Sequence, residues 1–264
     1  MDSKDVMASL AVTRLFYRLP HDARRWLFAA TKPKKFGKLQ KQRNRHSEQG
    51  YSFKPFDEHR CIFVHVPKTA GVSISRELFG NLSGGHTSIA TYERVFSRRD
   101  FESYFKFAFV RNPWDRLYSA YRFLKSGGMS EGDRQWAERN LSGVTGFTEF
   151  VTEHLRRGHM LSSSHFVPQY RFLCRPGSTQ VLVDFVGRYE SLDRDFRAVK
   201  ERLGLGTGEG LAHFNRSQSD GADYRFAYTA ETRRIVADVY REDVELFGYA
   251  FEPGNGDDKA VSGS

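Results

Sequence analysis

Residues 61–73, CIFVHVPKTAGVS, decide the fold of this chain. The apolar run up to Val66 predicts a short buried strand, and helical character returns from Val72. Between these two elements lies a loop that carries Lys68 and Gly71. Free backbone N–H groups and the helix dipole favour an anion at such a helix start. The segment therefore predicts a strand, an anion-binding loop and a helix.

The polar side chains of this loop suit an oxyanion. Lys68 supplies a point charge, Thr69 and Ser73 can donate hydroxyl hydrogen bonds, and Gly71 lets the backbone approach closely. The loop differs from the nucleoside-triphosphate loop GxxxxGK[ST], because Lys68 lies five residues before Ser73 instead of directly before it. An ordinary strand–helix turn with a surface lysine is the alternative.

A second strand–helix junction follows, with Arg111 placed 43 residues after Lys68. The run FKFAFV predicts another buried strand that ends just before Arg111. Asn112 and Pro113 predict a helix start, because Asn caps helices and Pro suits the first helical position. Ser119 lies on that helix, off its apolar stripe. Arg111 and Ser119 could hold a phosphate here, or they could simply be a capping arginine and a surface serine.

Taken together, the two junctions resemble the paired donor-binding motifs of carbohydrate sulfotransferases. Three later segments also resemble that family: HFVPQYRFLC (165–174), DFVGRYESLDRDF (184–196) and YTAETRRIVADVYREDVELFGY (228–249). The similarity covers roughly residues 61–250. It implies a three-layer, P-loop-like α/β fold with a central parallel sheet flanked by helices. The alternation of strands and helices independently predicts an α/β fold with a parallel sheet.

The resemblance also implies which residues bind 3′-phosphoadenosine 5′-phosphosulfate, the sulfuryl donor of the family. The first loop would hold the 5′-phosphosulfate, and the Arg and Ser of the second junction would hold the 3′-phosphate. The implied donor-binding residues are Lys68, Thr69, Ala70, Gly71, Val72, Ser73, Arg111, Ser119, Arg188 and Tyr189. The HxxPQ segment implies acceptor contacts for His165 and Gln169.

The catalytic residues implied by the resemblance are His86 and Lys68. The segment GHTSIATYERVF (85–96) resembles the part of uronyl 2-O-sulfotransferases that carries their catalytic histidine. His86 would then take the acceptor proton, as histidine commonly does near neutral pH, and Lys68 would stabilise charge on the leaving phosphate. His65, His165 and Glu93 are the alternative bases. No metal is implied.

Charge divides the chain near residue 60. Residues 1–60 carry a net charge of +8, whereas residues 61–264 carry +1. Seven bases and no acid lie between Lys32 and Arg45, which predicts a solvated linker or arm. We expect a basic N-terminal helical and linker segment over residues 1–60, a sulfotransferase domain over 61–252 and a disordered tail over 253–264.

The sequence carries neither a membrane-spanning apolar run of about 18–20 residues nor the apolar core of a signal peptide. Two cysteines 113 residues apart fit a reducing compartment. We therefore expect a cytoplasmic protein whose basic segment contacts a membrane surface or a polyanion. The expected acceptor is a glycan or another hydroxyl-bearing molecule, and no nucleic acid is expected.

The predicted function is transfer of a sulfuryl group to a hydroxyl group by in-line displacement. A P-loop-like nucleotide kinase is one alternative, but the sequence lacks the GK[ST] loop that it requires. A non-enzymatic polyanion-binding or membrane-surface module is another. That module would explain the basic segment and leave the two junctions unexplained.

Overall fold

The computed structural model describes residues 12–13, 15–206 and 223–252. Within these ranges a parallel sheet contains β1 (Cys61–Val64), β2 (Phe105–Val110) and β3 (Phe185–Arg188), with β2 in the centre. Phe63 pairs with Phe107, so the two predicted strands are neighbours in register. The α/β prediction, with a central parallel sheet flanked by helices, is confirmed.

Helices occupy most of the remaining described chain. The α-helices are α1 (His21–Thr31), α2 (Pro33–Asn44), α3 (Lys54–Glu58), α4 (Gly71–Phe79), α5 (Ile89–Val95), α6 (Arg98–Ser103), α7 (Pro113–Lys125), α8 (Glu131–Leu141), α9 (Phe147–Glu149), α10 (Tyr170–Leu173), α11 (Leu192–Arg202), α12 (Ala230–Val239) and α13 (Arg241–Phe247). A π-helical turn, Phe150–Leu155, continues α9. Short 3₁₀ turns cover His159–Ser162, Tyr189–Ser191 and Tyr224–Ala227.

The third strand begins later than the apolar run of the sequence predicts. We expect a strand over residues 181–186, but Val181 makes only an isolated antiparallel bridge to Cys174. The paired strand instead extends to Arg188, because Gly187 lies opposite Phe109 on β2. A Cβ at Gly187 would lie 2.5 Å from the Phe109 ring, so this pairing requires glycine.

The N-terminal helices pack onto the same core as the sheet. The side chains that α1, α2 and the region of α3 contribute to that core are Phe28, Leu39, Phe53 and Phe56. The prediction of a solvated linker from Lys32 to Arg45 is therefore wrong for the part that forms α2. The domain boundary at residue 60 stays a prediction, and this packing favours a folded unit that starts earlier.

Ion pairs explain why the basic helix α2 can lie against the protein. Arg43 bonds to Asp57 and to Asp100, at 2.6 and 2.7 Å. The lysines of α2, Lys34, Lys35, Lys38 and Lys41, are exposed. The predicted tail, residues 253–264, lies outside the described residues. Among the helices of the described ranges, none is both long and apolar enough to cross a membrane.

Candidate active site

The loop after β1 has a backbone suited to an anion. Lys68 and Ala70 adopt positive φ angles of 70° and 63°, a conformation that costs non-glycine residues about 1–3 kcal/mol each. Left-handed residues alternating with right-handed ones turn successive N–H groups toward one concave surface. The nine-residue helix α4 begins directly afterwards at Gly71. Such strain at a strand–helix junction is typical of a ligand-binding loop.

Gly71 is required by a close contact with His65. A Cβ at Gly71 would lie 1.9 Å from Cδ2 of the His65 ring. That ring is buried and stacks on Phe63 of β1. Gly71, which the sequence predicts to let a phosphate approach the backbone, therefore also leaves space for the His65 ring at the start of α4.

The side chains of the loop and of the first turn of α4 differ in how deeply they are buried. Thr69 is fully buried and donates its hydroxyl to the Val66 carbonyl at 2.9 Å, so it braces the loop where the sequence predicts a bond to the donor. Ser73 is buried in the first turn of α4, while Ala70 and Val72 are half-buried beside it.

Lys68 extends from the loop toward α7. Its Nζ lies 4.1 Å from the centre of the Phe123 ring. An ammonium group is attracted to the face of an aromatic ring, which holds the charge beside α7. The Lys68 ammonium group, which is predicted to be catalytic, therefore lies between the first and second strand–helix junctions.

Arg111 joins the two predicted junctions directly. Its guanidinium donates two bonds to Asp115, at 2.7 and 2.9 Å, and a third to the Lys68 carbonyl at 3.2 Å. The same group lies 4.0 Å from the centre of the Tyr189 ring. Lys68, Arg111 and Tyr189, from three distant parts of the sequence, thus meet at the carboxyl ends of the three strands.

Ser119 shares one face of α7 with Asp115. The two residues are four apart, which places them one turn from each other on the helix. Ser119 is half-buried, and it follows the carboxylate that holds Arg111. This arrangement is compatible with the predicted pairing of Arg111 and Ser119 on one phosphate.

Arg188 is directed elsewhere. Its guanidinium donates to the Phe247 carbonyl at 2.5 Å and lies over the Tyr249 ring. We therefore assign Arg188 to anchoring the end of α13, in place of the predicted donor contact. Of the two neighbouring residues Arg188 and Tyr189, it is Tyr189 that contacts the Arg111 guanidinium.

Gln169 is also placed differently from the prediction. It is fully buried, and its side-chain amide accepts from the Arg111 N–H and donates to the Arg111 carbonyl. Asp243 accepts from the backbone N–H groups of Gln169 and Tyr170 at 2.8 Å each. Desolvation raises the pKa of Asp243 to about 6. Gln169 thus positions the backbone of Arg111, and its complete burial disfavours the predicted acceptor contact.

Three histidines lie together beside the donor loop. The ring centres of His65 and His86 are 4.6 Å apart, and those of His86 and His165 are 5.7 Å apart. His86 Nδ1 lies 3.4 Å from the His65 carbonyl. His165 Nε2 lies 3.2 Å from a carboxylate oxygen of Asp133 on α8. All three predicted or alternative histidine bases therefore belong to one cluster.

The three histidines have different surroundings. Burial is the main reason that the pKa of His65 lies well below its ordinary value, with repulsion from the other two histidines adding to it. His86 is exposed, and desolvation, reinforced by His165, lowers the pKa of its ring to about 4. Desolvation also lowers the pKa of His165, against the opposing effect of Asp133. His86 is thus a neutral, accessible imidazole at pH 7.

The alternative base Glu93 is occupied in a different cluster. It is buried and forms ion pairs with Arg24 of α1 and with Arg175. Although desolvation would raise the pKa of the Glu93 carboxyl, the two guanidinium groups outweigh it and lower the pKa. A buried carboxylate whose two oxygens are both bonded to Arg175 is not accessible to an acceptor hydroxyl, so Glu93 is a poor candidate for the base.

Comparison with known proteins agrees with this geometry. A model described as the sulfotransferase family matches residues 51–250. The chain belongs to the sulfotransferase family. This match begins ten residues before the predicted domain start, at the segment that leads into Phe53 and Phe56.

Several curated proteins are similar to this sulfotransferase. Carbohydrate sulfotransferase 14 of Danio rerio is 32% identical over 178 residues, which cover 56% of this chain and 47% of that protein. Carbohydrate sulfotransferase 12 of Xenopus laevis is 29% identical over 252 residues, 73% of this chain and 59% of that protein. An uncharacterised protein of Archaeoglobus fulgidus is 33% identical over 105 residues, 40% and 72% respectively.

The chain spans about half the length of the carbohydrate sulfotransferase 14 relatives that it matches. No solved structure matches it. In the described part of this sulfotransferase, no group of three or more His, Cys, Asp or Glu side chains is arranged to hold a metal ion.

Sequence reasoning missed four residues that shape the site of this sulfotransferase. They are Asp115, Arg116, Asp133 and Glu190. Only Asp115 carried a usable signal, because it lies four residues after Arg111 on a predicted helix. Glu190 accepts from the Asn112 N–H at 2.6 Å and from the Tyr249 hydroxyl at 2.9 Å. The site partners of the other three lie between 32 and 78 residues away, beyond any local pattern.

Proposed function

We propose that this protein is an enzyme that transfers a sulfuryl group from 3′-phosphoadenosine 5′-phosphosulfate to a hydroxyl group of a glycan. The observation that carries the proposal is the bond from Arg111 to the Lys68 carbonyl, which unites the two donor motifs. The family supports this donor, and the names of the carbohydrate sulfotransferase relatives support a glycan acceptor.

The donor would lie across the two junctions. The N–H groups of residues 70–73 and the Lys68 ammonium group would hold the 5′-phosphosulfate at the start of α4. Arg111 and Ser119 would hold the 3′-phosphate, with Tyr189 supporting the Arg111 guanidinium from one side. A guanidinium at this position adds a charge-assisted bond to a 3′-phosphate, a group that ATP lacks.

The reaction would be an in-line displacement at sulfur. The acceptor oxygen forms a bond to sulfur as the bond between sulfur and the bridging phosphate oxygen breaks. The acceptor proton passes to His86, and Lys68 stabilises the negative charge that develops on the leaving phosphate. Catalysis of this kind depends on positioning and on fixed charges, as in phosphoryl transfer.

His86 is the best placed of the three histidines for this role. It is accessible to solvent, and its lowered pKa leaves it unprotonated at neutral pH. His65 is buried beneath Gly71, and the His165 side chain is only 12% exposed. We therefore assign the proton transfer to His86 and propose that His165 contacts the acceptor.

A nucleotide kinase is the competing function. It would need a carboxylate near the end of β2 to bind magnesium, and Asp115 is the carboxylate that contacts this strand end. Both of its oxygens accept hydrogen bonds from Arg111, so this carboxylate is neutralised by an arginine and is a poor ligand for magnesium. A kinase would be stabilised against heat by ATP with magnesium, and a sulfotransferase by adenosine 3′,5′-bisphosphate.

The decisive experiment is turnover with 3′-phosphoadenosine 5′-phosphosulfate. The full chain is incubated with a panel of glycans and small hydroxyl compounds, and mass spectrometry detects an added sulfo group. We expect sulfation of at least one glycan and formation of the bisphosphate product. Sulfation of small phenols with no glycan modified would contradict the acceptor class. Stabilisation by ATP with magnesium and not by the bisphosphate would contradict the donor.

The basic N-terminal helices support a second, peripheral contact. Exposed bases on α2 recur at helical spacing: Lys34, Lys38 and Lys41. We propose that they attract an anionic membrane surface or a polyanionic glycan, an attraction that should weaken strongly with salt. Both cysteines are buried free thiols, which supports the predicted cytoplasmic setting.

A further inference from the structure

Tyr51 is an exposed aromatic residue beside the proposed catalytic histidine. The residue is 54% exposed, unlike Phe53 and Phe56, which follow it into the core. Its ring edge lies against Gly85: a Cβ on Gly85 would be 2.8 Å from Tyr51 Cε1. The next residue is His86, whose Cα is about 3.8 Å from that of Gly85. The Tyr51 ring therefore lies against the residue that directly precedes His86.

The backbone around Tyr51 is held in place by hydrogen bonds. The Ser52 N–H donates to the Ser83 carbonyl at 3.0 Å, and the Leu82 N–H donates to the Gly50 carbonyl at 3.1 Å. These bonds flank Tyr51 on both sides and join its segment to the loop that precedes His86. A fixed aromatic ring loses little conformational freedom when a ligand binds, which favours a binding role.

The two glycines before His86 are tightly packed. A Cβ on Gly84 would be 1.8 Å from the Tyr92 hydroxyl oxygen and 2.9 Å from the Phe53 ring. Gly85 has a positive φ of 56° and is covered by Tyr51. The loop thus sits between buried rings on one side and an exposed ring on the other, and it fixes Tyr51 relative to His86.

We propose that Tyr51 forms a sugar-binding subsite that stacks against a pyranose ring of the acceptor; this inference rests on the proposed glycan sulfotransferase function. The face of an aromatic ring carries partial negative charge, and it attracts the C–H groups on the flat face of a sugar. A hydroxyl of the stacked sugar, or of its neighbour, would then reach His86. Stacking requires a ring and not the phenol hydroxyl, so phenylalanine should replace tyrosine.

The test compares Tyr51→Ala, Tyr51→Phe and the control Trp26→Ala, which removes an aromatic residue that is 70% exposed on α1. The probes are an unsulfated glycosaminoglycan tetrasaccharide and a linear alcohol without a sugar ring. Steady-state kinetics give KM and kcat for each acceptor. Calorimetry gives Kd for adenosine 3′,5′-bisphosphate, and then Kd for the tetrasaccharide added to that complex.

We expect Tyr51→Ala to raise the KM and the Kd for the tetrasaccharide about 3- to 10-fold, the range that aromatic contacts support. Its kcat, its Kd for the bisphosphate and its KM for the linear alcohol should stay unchanged. Tyr51→Phe and Trp26→Ala should match the wild type. Equal tetrasaccharide affinity in Tyr51→Ala and the wild type would overturn the subsite, as would a loss reproduced by Tyr51→Phe.

Failure of the proposed function has a different signature. A wild-type enzyme that binds the tetrasaccharide but sulfates nothing contradicts sulfuryl transfer, while the calorimetric comparison still tests Tyr51. A wild-type enzyme that sulfates the linear alcohol and does not bind the tetrasaccharide overturns the subsite and leaves sulfuryl transfer in place.

Discussion

Arg116 donates from its Nε to the Pro67 carbonyl at 2.9 Å, which ties α7 to the donor loop through the interior of the protein. A second nitrogen of the same side chain donates to the carbonyls of Val167 and His165, at 3.0 and 3.3 Å. The residue is only 1% exposed. One buried guanidinium therefore holds together the donor loop and the segment that carries His165.

Replacing Arg116 should loosen both segments at once. In Arg116→Met the apolar stem is kept and the donors are lost, which leaves buried carbonyls without these partners. Each such group costs about 1–3 kcal/mol, so we expect a loss of at least about 2 kcal/mol in the free energy of unfolding. Urea unfolding measures it. Arg234→Met, at an exposed position on α12, is the control and should change stability by less than about 0.5 kcal/mol. Equal midpoints for the two variants would contradict this role.

Gly71 and His65 should behave as a coupled pair. Gly71→Ala forces a Cβ into the His65 ring, so we expect weaker binding of adenosine 3′,5′-bisphosphate and a lower melting temperature. Gly71→Ala combined with His65→Ala removes the clashing ring and should recover part of both losses. Residues in contact typically show coupling of about 0.5–3 kcal/mol in such a cycle. Additive effects would mean that Gly71 is needed for backbone reasons alone.

Arg111 should contribute mainly to donor binding. A hydrogen bond to a charged group is worth about 1.5–3 kcal/mol, so Arg111→Ala should weaken bisphosphate binding by roughly 10- to 150-fold. Ser119→Ala loses a neutral donor and should cost roughly 2- to 12-fold. Calorimetry measures both, with circular dichroism to verify folding. A folded Arg111→Ala protein with wild-type affinity would remove Arg111 from the donor site.

The parts of the fold that the sequence predicted are those with local causes. The apolar runs before Pro67 and Arg111 form β1 and β2 because buried parallel strands require continuous apolar sequence. Asn112 caps α7 as expected, accepting from the Trp114 N–H. The sequence wrongly predicts a solvated linker for the residues of α2, because their charge pattern is typical of a segment surrounded by solvent. Arg43 of this helix pairs with Asp57 and Asp100, and a local sequence pattern cannot reveal pairs so far apart.

The candidate site shows the same limit at the level of single side chains. Lys68, Arg111 and His86 were identified from motifs, and the structure brings all three to one end of the sheet. The motif alone could not show that the Gln169 amide bonds to the backbone of Arg111, or that Arg188 donates to the Phe247 carbonyl. Such roles are set by partners far away in the sequence, and they emerge only when the chain is folded.

From the sequence alone, residues 1–45 are expected to be dispensable for donor binding, but the packing of the N-terminal helices predicts that they matter for stability. A truncated protein starting at Gly50 loses Phe28 and Leu39 from the core and leaves Glu93 without Arg24. Burial of one such apolar side chain contributes about 1.5–3 kcal/mol, so we expect a loss of several kcal/mol on urea unfolding. A protein starting at Val12 is the control and should match the full chain. An unchanged midpoint for the shorter protein would support the boundary near residue 60.

His86 is expected to set the pH dependence of the reaction. A general base works in its unprotonated form, so the rate should rise with pH through the pKa of the base and then level off. The ordinary pKa of histidine, about 6.5, would place that rise near neutrality. Desolvation and His165 instead lower the pKa of His86 to about 4. The rate of the wild-type enzyme should therefore be nearly constant between pH 6 and 8 and fall only in more acidic solution.

Loss of the His86 ring should affect the rate and leave donor binding intact. General-base catalysis typically contributes 10²–10⁴-fold, so His86→Ala should lose kcat on that order and keep its affinity for adenosine 3′,5′-bisphosphate. His165→Ala is the matched comparison, because its ring lies 5.7 Å away in the same cluster. It should raise the KM for the acceptor more than it lowers kcat. If His86→Ala instead loses thermal stability and keeps a normal rate per folded molecule, its ring only packs the loop after Gly85. The base would then be sought at His165, whose carboxylate partner Asp133 is already in place to receive a protonated ring.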